Sequence, residues 1–218
     1  MAHTLVIFDC DGVLVDSEPI VNRLLVEALA GEGLRLTNEE VDQAFLGLSW
    51  PATLDIIEGR LGRPVAGGFL QRIQRASFDA FRRELRPVPG IEAALDQIGQ
   101  PMCVASSGEA AGIYHSLELT GLLPRFDGRL FSAEQVARGK PHPDVFLFAA
   151  ESLGVLPSDC AVVEDSLNGV HGAAAAGMTV FAYEPAASFA RGRHDAFCSA
   201  GATVFQDMAE LPVLLGDA

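Results

Sequence analysis

The feature that most constrains this chain is a series of short apolar runs, each followed by a helical pattern. The runs fall at 5–8, 102–105, 130–131, 160–163, 179–182 and 203–205. Helical patterns follow at about 17–33, 109–121, 141–154, 166–177, 188–199 and 206–215. The runs are apolar throughout and do not alternate with polar residues, which suits strands buried on both faces between layers of helices. The expected class is therefore α/β: a Rossmann-like, doubly wound, mainly parallel sheet. Such sheets carry their functional residues at the carboxyl ends of the strands. Asp9, Asp11, Ser106, Ser107, Glu164 and Asp165 all fall there.

One region breaks the rhythm. Between about 17 and 86 no strand pattern occurs, and helical stretches follow the first at 37–46, 50–62 and 67–86. "RPVPG" (86–90) punctuates the chain before a further helix to about 99. The expected organisation is a core of residues 1–16 and 87–218, interrupted by a small helical cap at 17–86 that reads as a lid. The alanine-rich "HGAAAAG" (171–177) is good helix composition closed by a glycine.

The first strand ends in "FDCDG", which puts two carboxylates two places apart. Residues i and i+2 project to one side of a strand, and two carboxylates so placed raise each other's pKa unless a cation intervenes. Mg²⁺ suits them as a hard, oxygen-seeking ion. An ordinary Asp-Gly turn is the other reading of the pair alone. An EF-hand does not fit, since no acid stands at the twelfth position. Cys10, between the two acids, points away from them by strand alternation and is not expected to be a nucleophile.

Three further stretches complete the pattern. In "CVASSGEA" (103–110) a strand runs into Ser-Ser-Gly and then a helix, so hydroxyls and helix N-terminal N–H groups could receive phosphate oxygens; a plain serine cap is the alternative. In "RGKPHPD" (138–144) two prolines stiffen the loop that holds Lys140, and Asp144 is placed to cap the next helix. The lysine could bridge a carboxylate and a phosphate, or simply face solvent. "AVVEDSLNGV" (161–170) delivers Glu164 and Asp165 to a strand tip, as a metal pocket or as a helix cap.

Charge narrows the partners. The net charge is −14, which disfavours nucleic acid and anionic membrane surfaces. An anionic substrate then requires a local cation. The opening "MAHTLVIFD" has too short an apolar stretch for a signal peptide or membrane span. The four cysteines are scattered without CxxC spacing, which points to reduced thiols in a cytoplasmic protein.

Taken in order, these stretches resemble the haloacid dehalogenase (HAD) superfamily, in the subgroup of β-phosphoglucomutase-like and sugar-phosphate phosphatase enzymes. "FDCDGVLVDSE" is similar to the first motif of that family, Ser106 to the second, Lys140 in "GKPHPD" to the third, and "VEDSLNGV" to the fourth. The resemblance implies Asp9 as nucleophile, forming an aspartyl-phosphate, and Asp11 as general acid and base. It implies Ser106, Ser107 and Lys140 as phosphate-binding residues. It also implies an Mg²⁺ site built from Asp9, Asp11 (through its backbone carbonyl), Glu164 and Asp165.

Within the family, dehalogenases lack an acid two residues after the nucleophile, so Asp11 argues for phosphate chemistry. Similar mutases carry a His near the position of Val21 and a cap arginine after Gly-x-Ser, where this chain has "GLSWP" with Trp50. That difference favours a phosphatase acting on a small phosphorylated metabolite over a phosphomutase. A receiver-like phospho-acceptor is the remaining alternative, and Asp11 argues against it by favouring turnover. The cap arginines Arg72, Arg75, Arg82, Arg83 and Arg86 could reach an anionic leaving group or merely solvate a helix. The sequence specifies no oligomeric state, and a monomer is compatible with it.

Overall fold

The computed structural model describes residues 3–45, 48, 50–185 and 193–216. Its sheet consists of β1 (Leu5–Phe8), β2 (Met102–Ser106), β3 (Leu130–Ser132), β4 (Cys160–Glu164), β5 (Thr179–Tyr183) and β6 (Thr203–Phe205). The strand order is β3-β2-β1-β4-β5-β6, and each neighbouring pair is parallel. This is the doubly wound order, whose direction of winding reverses between β1 and β4. The crevice outside that reversal is where such sheets bind ligands. β1 is buried at all four positions, and β2 and β4 at all five.

β2, β3 and β4 each run on into Ser106, Ser132 and Glu164. Ladder pairing, such as Ser106 opposite Ser132, carries the backbone past the point where apolar character stops.

Among the described residues six α-helices belong to this α/β unit: α5 (Ile91–Leu95), α6 (Ala110–Leu119), α7 (Asp144–Ser152), α8 (Leu167–Ala175), α9 (His194–Ser199) and α10 (Leu211–Leu215). α7, α8 and α9 contribute Phe146, Ala149, Val170, Ala173 and Phe197 to a core with Leu5, Ile7, Cys103 and Val162. The larger of these, such as Phe146, Phe197, Leu5 and Ile7, each contribute about 1.5–3 kcal/mol on burial.

Several boundaries differ from the sequence pattern. α5 stops at Leu95. α7 starts only at Asp144, because Pro141 and Pro143 precede it. Asp144 does not cap α7; its carboxylate instead accepts from Arg138 Nη2 at 2.8 Å and Nε at 3.2 Å. The last helical segment begins as a 3-10 turn, Met208–Glu210, with an Asp207–Glu210 capping box. Residues 188–192 of the expected 188–199 helix lie outside the described residues.

The chain divides into two compact units, one of Met1–Asp16 and Arg86–Ala218, the other Ser17–Leu85. In the first unit the two ends that flank the insertion lie side by side: Asp16 N donates to Arg86 O and Val88 N to Leu14 O, both at 2.9 Å.

The second unit contains α1 (Glu18–Glu32), α2 (Asn38–Phe45), α3 (Trp50–Leu61) and α4 (Phe69–Glu84). Leu25, Leu29, Val41, Phe45, Ile57, Phe69 and Ile73 form its own core, with Trp50 packed against it. Glu32 ties its loops together: its carboxylate pairs with Arg63 at 3.0 Å and Arg72 at 3.6 Å. Arg72, Arg75, Arg82, Arg83 and Arg86 are all exposed, and Arg82 lies 3.7 Å from Asp79. Of the "GLSWP" stretch, Gly47 and Ser49 lie outside the described residues.

Candidate active site

The site forms where β2, β1 and β4 end side by side. β1 delivers Asp9, whose backbone N–H still donates to Val163 O of β4 at 2.9 Å. The chain then turns back on itself: Leu14 N and Val15 N both donate to Cys10 O, and Gly12 N donates to Val15 O. Gly12 has φ +76°, and a Cβ there would run into the Asp165 carboxylate. Glycine is therefore required at position 12 both for the turn and for the close approach of the β4 acids.

Lys140 binds the three strand ends together. Its Nζ donates to Asp9 Oδ1 at 2.7 Å, to Ala105 O at 3.0 Å and to Glu164 Oε1 at 2.5 Å. The side chain is 3% exposed, and the ammonium lies 5.0 Å from the centre of the Phe146 ring. The lysine is thus a buried counter-charge and not a solvated surface group. Burial alone would lower its pKa, but Asp9 and Glu164 outweigh that and raise it, so it stays charged.

Glu164 is fully buried and its carboxylate is heavily used. Oε1 takes Lys140, while Oε2 accepts from Asp165 N, Ser166 N and Ser166 Oγ at 2.9–3.0 Å. Gly169 leaves room for it, since a Cβ there would collide with the Glu164 carboxylate. Ser166 also caps α8 by accepting from Gly169 N at 3.0 Å.

One carboxylate oxygen each from Asp9, Glu164 and Asp165 falls within 4.8 Å of the others. All three residues are buried. Three such carboxylates carry more negative charge than the Lys140 ammonium offsets. Burial pushes the Asp9 carboxyl up to about 7; Lys140 opposes this, and the nearby Glu164 and Asp11 charges add to it. A buried acidic cluster of this kind, with hard oxygen donors, fits a divalent cation such as Mg²⁺. The Asp11 side chain is exposed and stands outside the three-carboxylate group.

On the β2 side, Ser106 is 1% exposed and its Oγ accepts from Gly108 N at 3.1 Å. Ser107 is exposed in the same turn. The first N–H of α6, on Ala110, is already taken by the Glu134 carboxylate at 2.9 Å. The α6 terminus expected to receive phosphate is thus partly satisfied from within the protein.

Ser132 and Glu134 do not stand out from the apolar pattern, because their contacts come from the pairing of β3 with β2. The "SAEQ" spacing of a capping box was the available signal. Cys10 is buried, and burial together with Asp11 and Asp9 holds its thiol well above the usual range. That is the opposite of what a nucleophilic cysteine needs.

Known proteins share this architecture and sequence. The chain is 36% identical over 177 residues to the 6-phosphogluconate phosphatase of Escherichia coli, covering 81% of this chain and 80% of that protein. It is 33% identical over 179 residues to hexitol phosphatase B of the same organism, covering 79% of each. A conserved haloacid dehalogenase-like protein of unknown function from Agrobacterium tumefaciens superposes with a TM-score of 0.88 at 34% identity, covering 98% of both chains. A HAD family hydrolase from Deinococcus radiodurans, solved with bound phosphate and sodium, gives 0.82 at 29% identity over 99% of this chain and 96% of that one. The profile described as haloacid dehalogenase-like hydrolase matches residues 3–177. The chain is therefore an enzyme of the haloacid dehalogenase-like hydrolase family.

Proposed function

We propose that the protein is an Mg²⁺-dependent phosphatase that hydrolyses a small phosphorylated metabolite, a sugar or sugar-derived phosphate, through an aspartyl-phosphate on Asp9. The observation that carries this reading is Lys140 spanning Asp9, Ala105 O and Glu164 at the winding reversal, with Asp165 close by. The two Escherichia coli relatives described above act on phosphorylated sugar derivatives by name, and so does a fructose-1-phosphate phosphatase of that organism, 32% identical over 177 residues.

In this reading a carboxylate oxygen of Asp9 attacks phosphorus, and the bond from phosphorus to the leaving alkoxide breaks. Asp11 gives its proton to that alkoxide. A water then attacks the phosphorus, Asp11 takes its proton, and the bond to Asp9 breaks to release phosphate. The exposure of Asp11 suits a group that must exchange protons with substrate and water. Lys140 fixes the Asp9 rotamer and offsets charge on the phosphoryl oxygens, and Ser106 and Ser107 receive those oxygens. Asp9, Asp165 and the backbone carbonyl of Asp11 would hold Mg²⁺, which supplies charge neutralisation at the phosphoryl group. Glu164, whose oxygens are committed to Lys140 and the 165–166 backbone, supports that set and reaches the ion directly or through water.

Among the described residues no helix is long and apolar enough to cross a membrane. All four cysteines are free, three of them buried. We place the enzyme in the cytoplasm on the basis of those free thiols. The helical unit, Ser17–Leu85 with its joints near 16–18 and 86–90, is assigned the role of substrate-selecting cap.

The test is phosphate release from a panel of sugar, sugar-alcohol and sugar-acid phosphates, with p-nitrophenyl phosphate as reference, in Mg²⁺ and in EDTA. Mg²⁺-dependent release, fastest with a member of the panel, is expected. Release that is unaffected by EDTA, or none from any compound, would refute the reading.

A further inference from the structure

We infer that Ser132 and Glu134 are positioning residues that hold the phosphate-receiving turn at 106–110 in its working shape. The inference rests on the phosphatase reading above. The turn is clamped at both backbone polar groups of one residue, Gly108, and at the start of the helix behind it. Gly108 N donates to Ser106 Oγ at 3.1 Å, and Gly108 O accepts from Ser132 Oγ at 2.6 Å. Two residues on, Ala110 N donates to Glu134 Oε2 at 2.9 Å.

Ser132 is itself locked. It is 1% exposed, its Oγ accepts from Glu134 N at 3.1 Å, and its backbone N–H donates to Gln135 Oε1 at 2.8 Å. Its hydroxyl proton is thereby committed to Gly108 O. On the other side, Gly108 N occupies one lone pair of the Ser106 hydroxyl, whose proton can still turn towards an incoming phosphoryl oxygen. Glu134 supplies the anion that the α6 N-terminus attracts, so the helix start is held without substrate. The clamp thus gives a preorganised donor set where Ser106 ends β2 and the small residues Ser107 and Gly108 make the turn.

The experiment compares the parent enzyme with Ser132→Ala, Glu134→Ala and Glu134→Gln, with p-nitrophenyl phosphate as substrate and inorganic phosphate as competitive inhibitor in Mg²⁺. Melting temperatures are recorded alongside. A turn that holds phosphate equally in ground and transition states affects KM and not kcat. Glu134→Ala should therefore raise KM and the phosphate Ki together by about three- to fivefold, the scale of an exposed carboxylate at a helix N-terminus, with kcat little changed. Glu134→Gln keeps an acceptor for Ala110 N and should restore most of the affinity. Ser132→Ala should follow Glu134→Ala; if its buried site prevents folding, the Glu134 pair decides alone. A purely structural role would lower the melting temperature and leave Ki in place. An unchanged Ki in Glu134→Ala, or a Glu134→Gln as impaired as the alanine variant, overturns the inference. A parent enzyme without Mg²⁺-dependent hydrolysis removes the phosphatase reading and this inference with it, a result distinct from an active parent with indifferent variants.

Discussion

Replacing Lys140 with methionine should destabilise the metal-free protein by about 3–5 kcal/mol, the cost of removing one partner from a buried ion pair. The gross terms are larger. At an effective dielectric near 20, charges 2.7 Å and 2.5 Å apart attract by about 6 and about 7 kcal/mol, and Lys140 makes both contacts. Much of that is offset by the cost of burying the ammonium, which is 3% exposed. Methionine fills a similar volume but leaves Asp9 and Glu164 facing each other without a cation. Urea denaturation in EDTA followed by far-UV circular dichroism measures the change. Fluorescence of Trp50 is the wrong probe, because the single tryptophan lies in the helical unit. Adding Glu164→Gln to the methionine variant removes one of the stranded charges and should recover part of the loss. A change below about 1 kcal/mol, the scale of an exposed ion pair, or a double variant less stable than the single one, would refute the idea that Lys140 is the buried counter-charge.

Other expectations follow from the same geometry. The folded Asp9 carboxyl is pushed up to about 7, so the folded state holds its proton more tightly than the unfolded chain. In EDTA its contribution should therefore lower stability as pH rises from about 4 to about 7, by a few kcal/mol at most, and Mg²⁺ should flatten that slope; melting temperatures across this range with and without Mg²⁺ test the sign. Gly12→Ala places a Cβ against the Asp165 carboxylate in a left-handed backbone, which should cost about 1–3 kcal/mol and shift the Mg²⁺ titration of activity to higher concentration; a variant with the parent's Mg²⁺ titration would show that Asp165 is not where the ion is held. Cys10→Ala should keep its activity within a few-fold, since the thiol is buried and held protonated; complete loss with the fold intact would reopen a role for that residue.

The sheet was legible because its strands are unbroken apolar runs, a pattern that a parallel, doubly covered sheet imposes. Its strand ends were not, because Ser106, Ser132 and Glu164 are polar and are held in the ladder by pairing with neighbours distant in sequence. The acids of β1 and β4 were readable from their places at strand tips. The part played by Lys140 was only half readable: the two prolines showed a stiff loop, but the burial of the ammonium among three strand ends is a tertiary fact. Asp144 looked like a cap because it opens α7; a bidentate arginine six residues upstream proved the stronger partner. Ser132 and Glu134 carried a local capping signature whose consequence, the clamp on Gly108 and Ala110, needs β3 beside β2.

The most direct measurement of the central claim is chemical trapping of the intermediate. The enzyme would be mixed with p-nitrophenyl phosphate and Mg²⁺, quenched, reduced with borohydride and digested for peptide mass spectrometry. An acyl phosphate on Asp9 predicts homoserine at position 9, absent in EDTA and absent in Asp9→Asn, which should also be inactive. Homoserine at another acid, or turnover that survives in Asp9→Asn, would contradict the account.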